Sequence, residues 1–130
     1  MTQPMEPTLA AFQNPLARYF AATRPAFLTA SMMACLIGLA AIWHGAVAFD
    51  VPLALVTLLF GLLAHAGVNV LNDYYDALNG TDAQNTERIF PFTGGSRFIQ
   101  NGVLTLAQTR NFGFALFAGV VLAGLGLSRT

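Results

Sequence analysis

VPLALVTLLFGLLAHAGVNVLN, from Val51 to Asn72, runs for 22 residues without a formal charge, and about 20 apolar residues suffice for a helix to cross the hydrocarbon of a bilayer. Asp50 precedes it and Pro52 stands near its start; proline suits the first turn of a helix, where its missing N–H has no bond to lose. The stretch is predicted to be a membrane span that stays helical to about Asp76. Upstream, Ala26 to Phe49 is another uncharged run, of 24 residues. Downstream, Asn111 to Ser128 is a third, shorter and rich in Gly, Ala, Leu and Phe, whose small residues allow close helix contact. The expected fold is all-α: an integral-membrane helical bundle with spans at about 26–49, 51–76 and 111–128 and a polar loop at about 78–110. Asn79-Gly80 and Gly94-Gly95 are turn signals in that loop.

Composition agrees with lipid as the solvent. Hydrophobic residues make up 55% of the chain and charged ones 9%, with a mean hydropathy of +0.59. Six acidic residues and six arginines, with no lysine, cannot cover a soluble domain. Net charge is zero, so the basic face that nucleic acid requires is missing, and no nucleic-acid partner is expected. Cys35 is the only cysteine and lies in an apolar run, which points to packing and not to a disulfide or a thiolate metal site. The N-terminal segment is polar, with Glu6 and the prolines Pro4, Pro7 and Pro15 well ahead of any long apolar stretch, so no cleaved signal peptide is expected.

Arginine placement sets the expected orientation. Arg18 and Arg24 precede the first span, Arg88, Arg97 and Arg110 lie between the second and third, and the Trp43–Pro52 connection carries none. By the positive-inside rule the N-terminus and the loop 78–110 are cytoplasmic, in a multi-pass protein of the cytoplasmic membrane. Trp43 and His44 then sit at the outer interface as anchors.

The second span grows polar toward its inner end, through His65, Asn69, Asn72, Asp73 and Asp76. At about 100° per residue these five share one helix face. Two carboxylates three residues apart, with no basic residue on the same turn, repel each other and lie at the wrong end of the helix dipole, so a cation would relieve both costs. Hard oxygen ligands suit Mg²⁺, which usually binds one or two carboxylates together with substrate phosphates. The alternative is that Asp73 and Asp76 sit solvated among headgroups while Asn69 and His65 hydrogen-bond between helices.

NVLNDYYDALNGTD, Asn69 to Asp82, resembles the first aspartate-rich motif of the UbiA family of membrane prenyltransferases. RPAFLTAS, from Arg24, and FPFTGGSRFIQ, Phe90 to Gln100, resemble the branch that prenylates 1,4-dihydroxy-2-naphthoate in menaquinone synthesis. The resemblance implies a bundle of about nine spans around a central cavity, with two aspartate-rich loops facing each other. It implies a Mg²⁺-dependent transfer of a prenyl group from a polyprenyl diphosphate to an aromatic quinone precursor. On the matching positions, Asp73 and Asp76 become catalytic metal ligands and Asn69 and Asn72 diphosphate-binding residues. Asp82 is a third metal ligand, offset from the commoner spacing, which would place it at Gly80.

Arg88 and Arg97 are the candidates for clasping diphosphate oxygens, because guanidinium forks match phosphate geometry. Gly94-Gly95 before Ser96 brings backbone N–H groups toward the same anion. For Arg88 a purely topological role stays open, and for Arg110 it is preferred. Tyr74 and Tyr75 could flank an allylic cation through their ring faces, although packing against neighbouring helices is the commoner fate of such rings. With the second motif missing, the chain is expected to be a fragment, inactive alone. Two other functions stay open: a family enzyme acting on 4-hydroxybenzoate or a tetrapyrrole, and a non-enzymatic membrane subunit that uses the acidic stripe as a cation path.

Overall fold

The computed structural model describes residues 5–128. Five helices follow in order: α1 (Pro15–Ala22), α2 (Pro25–His44), α3 (Val51–Asn79), α4 (Thr81–Gln84) and α5 (Leu106–Leu127). No strand occurs among the described residues. α2, α3 and α5 are each long and apolar enough to cross a membrane, so the expected all-α membrane architecture is what the chain adopts.

Each long helix has a local reason to start where it does. Pro25 opens α2 behind Arg24, whose backbone is left-handed at φ 56°. Asp50 caps α3, its carboxylate accepting a 2.8 Å hydrogen bond from Leu53 N. Thr105 and Gln108 form a reciprocal capping box for α5. That box starts the third span at Leu106, ahead of the expected Asn111, and puts Arg110 inside the helix, where it is exposed. The connection between α3 and α5 is correspondingly shorter than the predicted 78–110: α3 runs to Asn79, α4 follows, and residues 85–105 are irregular.

α3 is the central element and packs against both α5 and α2. Its 29 residues span about 43 Å at 1.5 Å each, against a hydrocarbon thickness of about 30 Å, so its last turns reach past the apolar slab. Small residues set the closest approaches: a methyl added at Gly67 would lie 3.0 Å from the Phe117 ring. Ile37, Leu55, Val68 and Leu122 stay more than half exposed. In water such surfaces would drive aggregation, whereas lipid is their natural solvent.

The enclosed core lies at the other end of the molecule from the α2–α3 turn. Ala22, Phe98, Val103 and Leu104 are buried together, with Phe12, Tyr19 and Ala21 packed against them. Phe12 stacks tilted on Phe98 at 5.1 Å, and Tyr19 meets Phe112 edge-on at 4.9 Å. This cluster ties the N-terminal segment and α1 to the connection 85–105, and it holds that connection over the end of α3.

Candidate functional site

The polar face of α3 is used turn by turn. His65 Nδ1 shares a 2.8 Å hydrogen bond with Ser31 Oγ on α2. One turn on, Asn69 Nδ2 donates to the Thr23 carbonyl at 2.9 Å, satisfying backbone at the α1–α2 junction. Another turn on, Asp73 is 4% exposed and accepts from Ser96 N at 3.1 Å. Asp73 therefore points into the protein, under the connection, and not into solvent. Asn72 and Asp76 lie beside this row. Asn72 Nδ2 donates to Asp76 Oδ2 at 2.6 Å, with Asn72 exposed and Asp76 half-buried.

The Asn-Gly turn then reverses the chain. Gly80 ends α3 at φ 81°, a left-handed conformation that suits glycine. The Asn79 side chain accepts from Thr81 N and Thr81 Oγ1 at 2.9 and 2.6 Å. α4 is thereby folded back against α3, and Asp82 becomes 3% exposed. Arg97 Nη1 donates to the Asp82 carbonyl at 2.7 Å, and Gln100 Nε2 donates to its carboxylate at 3.3 Å.

Asp73 and Asp82 converge on Gly95. A Cβ built there would overlap Asp82 Oδ2 and lie 2.9 Å from Asp73 Oδ1. Only glycine leaves room for both carboxylates, and its φ of +71° is again left-handed. Burial pushes the Asp82 carboxyl above its ordinary range, the neighbouring Asp76 charge adds to this, and Arg97, the Gln100 hydrogen bond and Arg24 pull the other way. Arg24 is held by a 3.0 Å bond from Nη2 to the Pro91 carbonyl and lies over the Phe27 ring at 4.3 Å.

Among the described residues, the two non-glycine positions with left-handed backbone are Arg24 and Arg97, at φ 56° and 65°. Such conformations cost about 1 kcal/mol or more each and persist where the surroundings impose them. Both flank the acidic pair. Arg97 is 8% exposed, and its Nε has no hydrogen-bond partner.

The predicted site residues thus fall into groups. Asp73, Asp82 and Arg97 meet at the Gly94-Gly95-Ser96 turn. Asp76 acts on Asp82 through charge and is paired with Asn72. Asn69 is engaged a turn away with the Thr23 carbonyl. Arg88 turns instead toward Glu6, with Nε 2.6 Å from Oε1. Glu6, Arg24 as a neighbour of the acids, and Gln100 are not among the residues the sequence offers for the site; Arg24 and Gln100 stand at the edges of RPAFLTAS and FPFTGGSRFIQ, but their contacts, like those of Glu6, join segments far apart in the chain. Among the described residues no group of three or more His, Cys, Asp or Glu side chains is arranged to hold a metal ion. Two converging carboxylates nevertheless match what Mg²⁺ usually takes from a protein, the rest of its shell coming from water and phosphate oxygens.

Asp82 also links the site to stability. A carboxyl raised in the folded state favours folding while protonated, and that contribution fades as pH rises from the ordinary aspartate range through the raised value. Asp82→Asn, neutral at every pH, is expected to melt above the wild type at pH 7 in metal-free detergent, with the gap closing in acid. A variant that melts lower at pH 7 would contradict the burial argument.

No protein-family model, curated protein or solved structure matches this chain.

Proposed function

We propose that this chain is the first diphosphate-binding portion of a UbiA-type membrane prenyltransferase, which transfers a prenyl group from a polyprenyl diphosphate to an aromatic quinone precursor such as 1,4-dihydroxy-2-naphthoate. The observation that carries the reading is the burial of Asp73 and Asp82 with their carboxylates meeting at Gly95, beside a buried guanidinium. Two buried acids with so little compensation call for a cation, and an arginine beside them calls for an anion. A Mg²⁺–diphosphate supplies both.

In this reading Asp73 and Asp82 hold the metal, with Asp76 at the rim, while Arg97 and the Gly94–Ser96 backbone face the diphosphate. Bound Mg²⁺ neutralises the negative charge that gathers on the leaving diphosphate. The allylic C–O bond breaks with its electron pair going to that diphosphate. The aromatic ring supplies the pair for the new C–C bond and regains aromaticity when the attacked carbon loses its proton, or its carboxylate as CO2, the bonding pair of that group returning to the ring. The apolar faces of α2, α3 and α5 keep water from the reactive carbon. The same reading puts the N-terminal segment and the 85–105 connection on the cytoplasmic side of the cytoplasmic membrane, following the arginines.

The test is Mg²⁺-dependent binding of a farnesyl thiodiphosphate analogue to the detergent-solubilised chain. Removing one charged contact costs about 1.5–3 kcal/mol, so Asp73→Ala is expected to weaken binding by about tenfold or more, and Asp76→Ala by less. Equal binding by wild type and both variants would refute the assignment. A Mg²⁺ response with no affinity for the analogue would favour a cation-path subunit instead.

A further inference from the structure

The N-terminal segment places a carboxylate where an anion would be expected to bind. Glu6 accepts a 2.6 Å hydrogen bond from Arg88 Nε and a 3.2 Å one from Asn101 Nδ2, and its Oε2 lies 3.9 Å from Arg97 Nε. The last distance is too long for a hydrogen bond. Arg97 Nε is thus buried with its N–H unspent, a state that costs free energy until a larger acceptor arrives. A planar carboxylate reaches Arg88 and Asn101 and stops short of Arg97. A phosphate-class anion has more oxygens, spread tetrahedrally, and can serve both guanidinium groups at once.

The segment that delivers Glu6 is held at two points, at buried Pro7 and at Phe12, whose carbonyl accepts from Arg18 Nε and Nη2 at 3.2 and 3.0 Å. Asn101 Nδ2 also donates to the Pro7 carbonyl at 2.9 Å, and Phe12 rests on Phe98. Residues 8–11 between these two anchors are exposed. The hydrogen bonds from Arg88 and Asn101 hold the Glu6 carboxyl below its ordinary range, so it is charged at neutral pH.

We infer that Glu6 is an intramolecular stand-in for a phosphate-class anion, which displaces it from Arg88, Asn101 and Arg97 and lifts residues 5–13 as a strap. This rests on the proposed diphosphate chemistry and adds a device to it: until an anion binds, Glu6 and its N-terminal segment cover the site. The strap then reports occupancy, because ligand and Glu6 compete for the same N–H groups.

Titration of inorganic pyrophosphate into the full chain in neutral detergent tests this. Glu6→Gln keeps the shape and removes the competing charge, so pyrophosphate is expected to bind about two- to fivefold tighter, the worth of a part-exposed ion pair. Equal or weaker binding would show that Glu6 is a strut for the arginines and overturn the inference. Hydrogen exchange on the wild type gives a check that needs no variant. Amides of residues 5–13 are expected to exchange faster with pyrophosphate bound; unchanged exchange at saturating pyrophosphate also overturns it. Repeating the exchange in phosphatidylglycerol and phosphatidylcholine nanodiscs separates the two sources of phosphate. Release in phosphatidylglycerol alone assigns a lipid headgroup, and release only on adding pyrophosphate assigns the free diphosphate. A wild type that binds no pyrophosphate, with or without Mg²⁺, sinks the prenyl-transfer reading; binding without strap release sinks only the stand-in.

Discussion

Gly95→Ala is expected to destabilise the protein by about 2–5 kcal/mol and to abolish Mg²⁺–diphosphate binding, summing about 1–2 kcal/mol for a left-handed L-residue and about 1–3 for overpacking. The first contribution follows from a φ of +71°. The second follows from the added methyl, which would occupy the place of Asp82 Oδ2 and press on Asp73 Oδ1 at 2.9 Å. Neither carboxylate can give way cheaply. Asp73 is fixed on α3 and bonded to Ser96 N, and Asp82 is enclosed by Arg97 and Gln100. Gly102→Ala separates the two contributions, because Gly102 has φ +68° but nothing within 4 Å of its would-be Cβ. That control is expected to lose only about 1 kcal/mol and to bind the ligand normally. Thermal melting in detergent and pyrophosphate titration read both effects. Equal losses in the two variants would mean that the acids do not meet at Gly95.

The spans were legible because bilayer thickness imposes a length and lipid imposes composition, both of which are local properties of the chain. Val51 and Pro52 mark the start of α3 in sequence as they do in the fold. The third span's start was not legible from charge alone. Arg110 interrupts the uncharged run, yet an exposed arginine near a helix end can keep its charge in the interface, and the Thr105–Gln108 capping box decides the boundary. α1 escaped for a different reason. Eight residues with Asn14 as cap and Pro15 at the first turn are too short to declare themselves against the apolar runs that follow.

At the site, helical spacing placed Asn69 and Asp73 on one face, and both do face neighbouring elements. Spacing could not say what each would meet. Asn69 spends its amide on the Thr23 carbonyl, a need created by the α1–α2 junction, and Arg88 meets Glu6 of the N-terminal segment, 82 residues before it in the chain. The juxtaposition of Asp73 with Asp82 depends on the Gly80 reversal and on the connection 85–105 folding over α3. The reversal is local and announced by Asn79-Gly80, whereas the folding of the connection over α3 is a long-range event that no periodicity encodes. Asp82 sits at the departure from the commoner motif spacing, and the α4 turn is what carries it back to Asp73.

Gly113→Leu carries the other large expected effect, a loss of about 3 kcal/mol with α5 displaced from α3. Even a Cβ at Gly113 would come 2.6 and 2.7 Å from Leu71 Cδ2 and Cγ and 3.3 Å from Val70 Cγ1, so a full leucine side chain cannot enter unless the helices part. Apolar burial gives little drive to hold helices together in lipid, and close packing of small residues has to do it. Val70, wholly buried, and Leu71 immediately precede Asn72 and Asp73, so parting α5 from α3 also loosens the turn that aims Asp73 at Gly95. The variant is therefore expected to lose ligand affinity along with stability. Gly119→Leu, on the same helix with nothing within 4 Å of its would-be Cβ, adds the same bulk to an open face and is expected to melt like the wild type. Spin labels on α3 and α5 should report a longer separation in Gly113→Leu alone. If both variants melt together, the α3–α5 contact is not what positions the acidic pair.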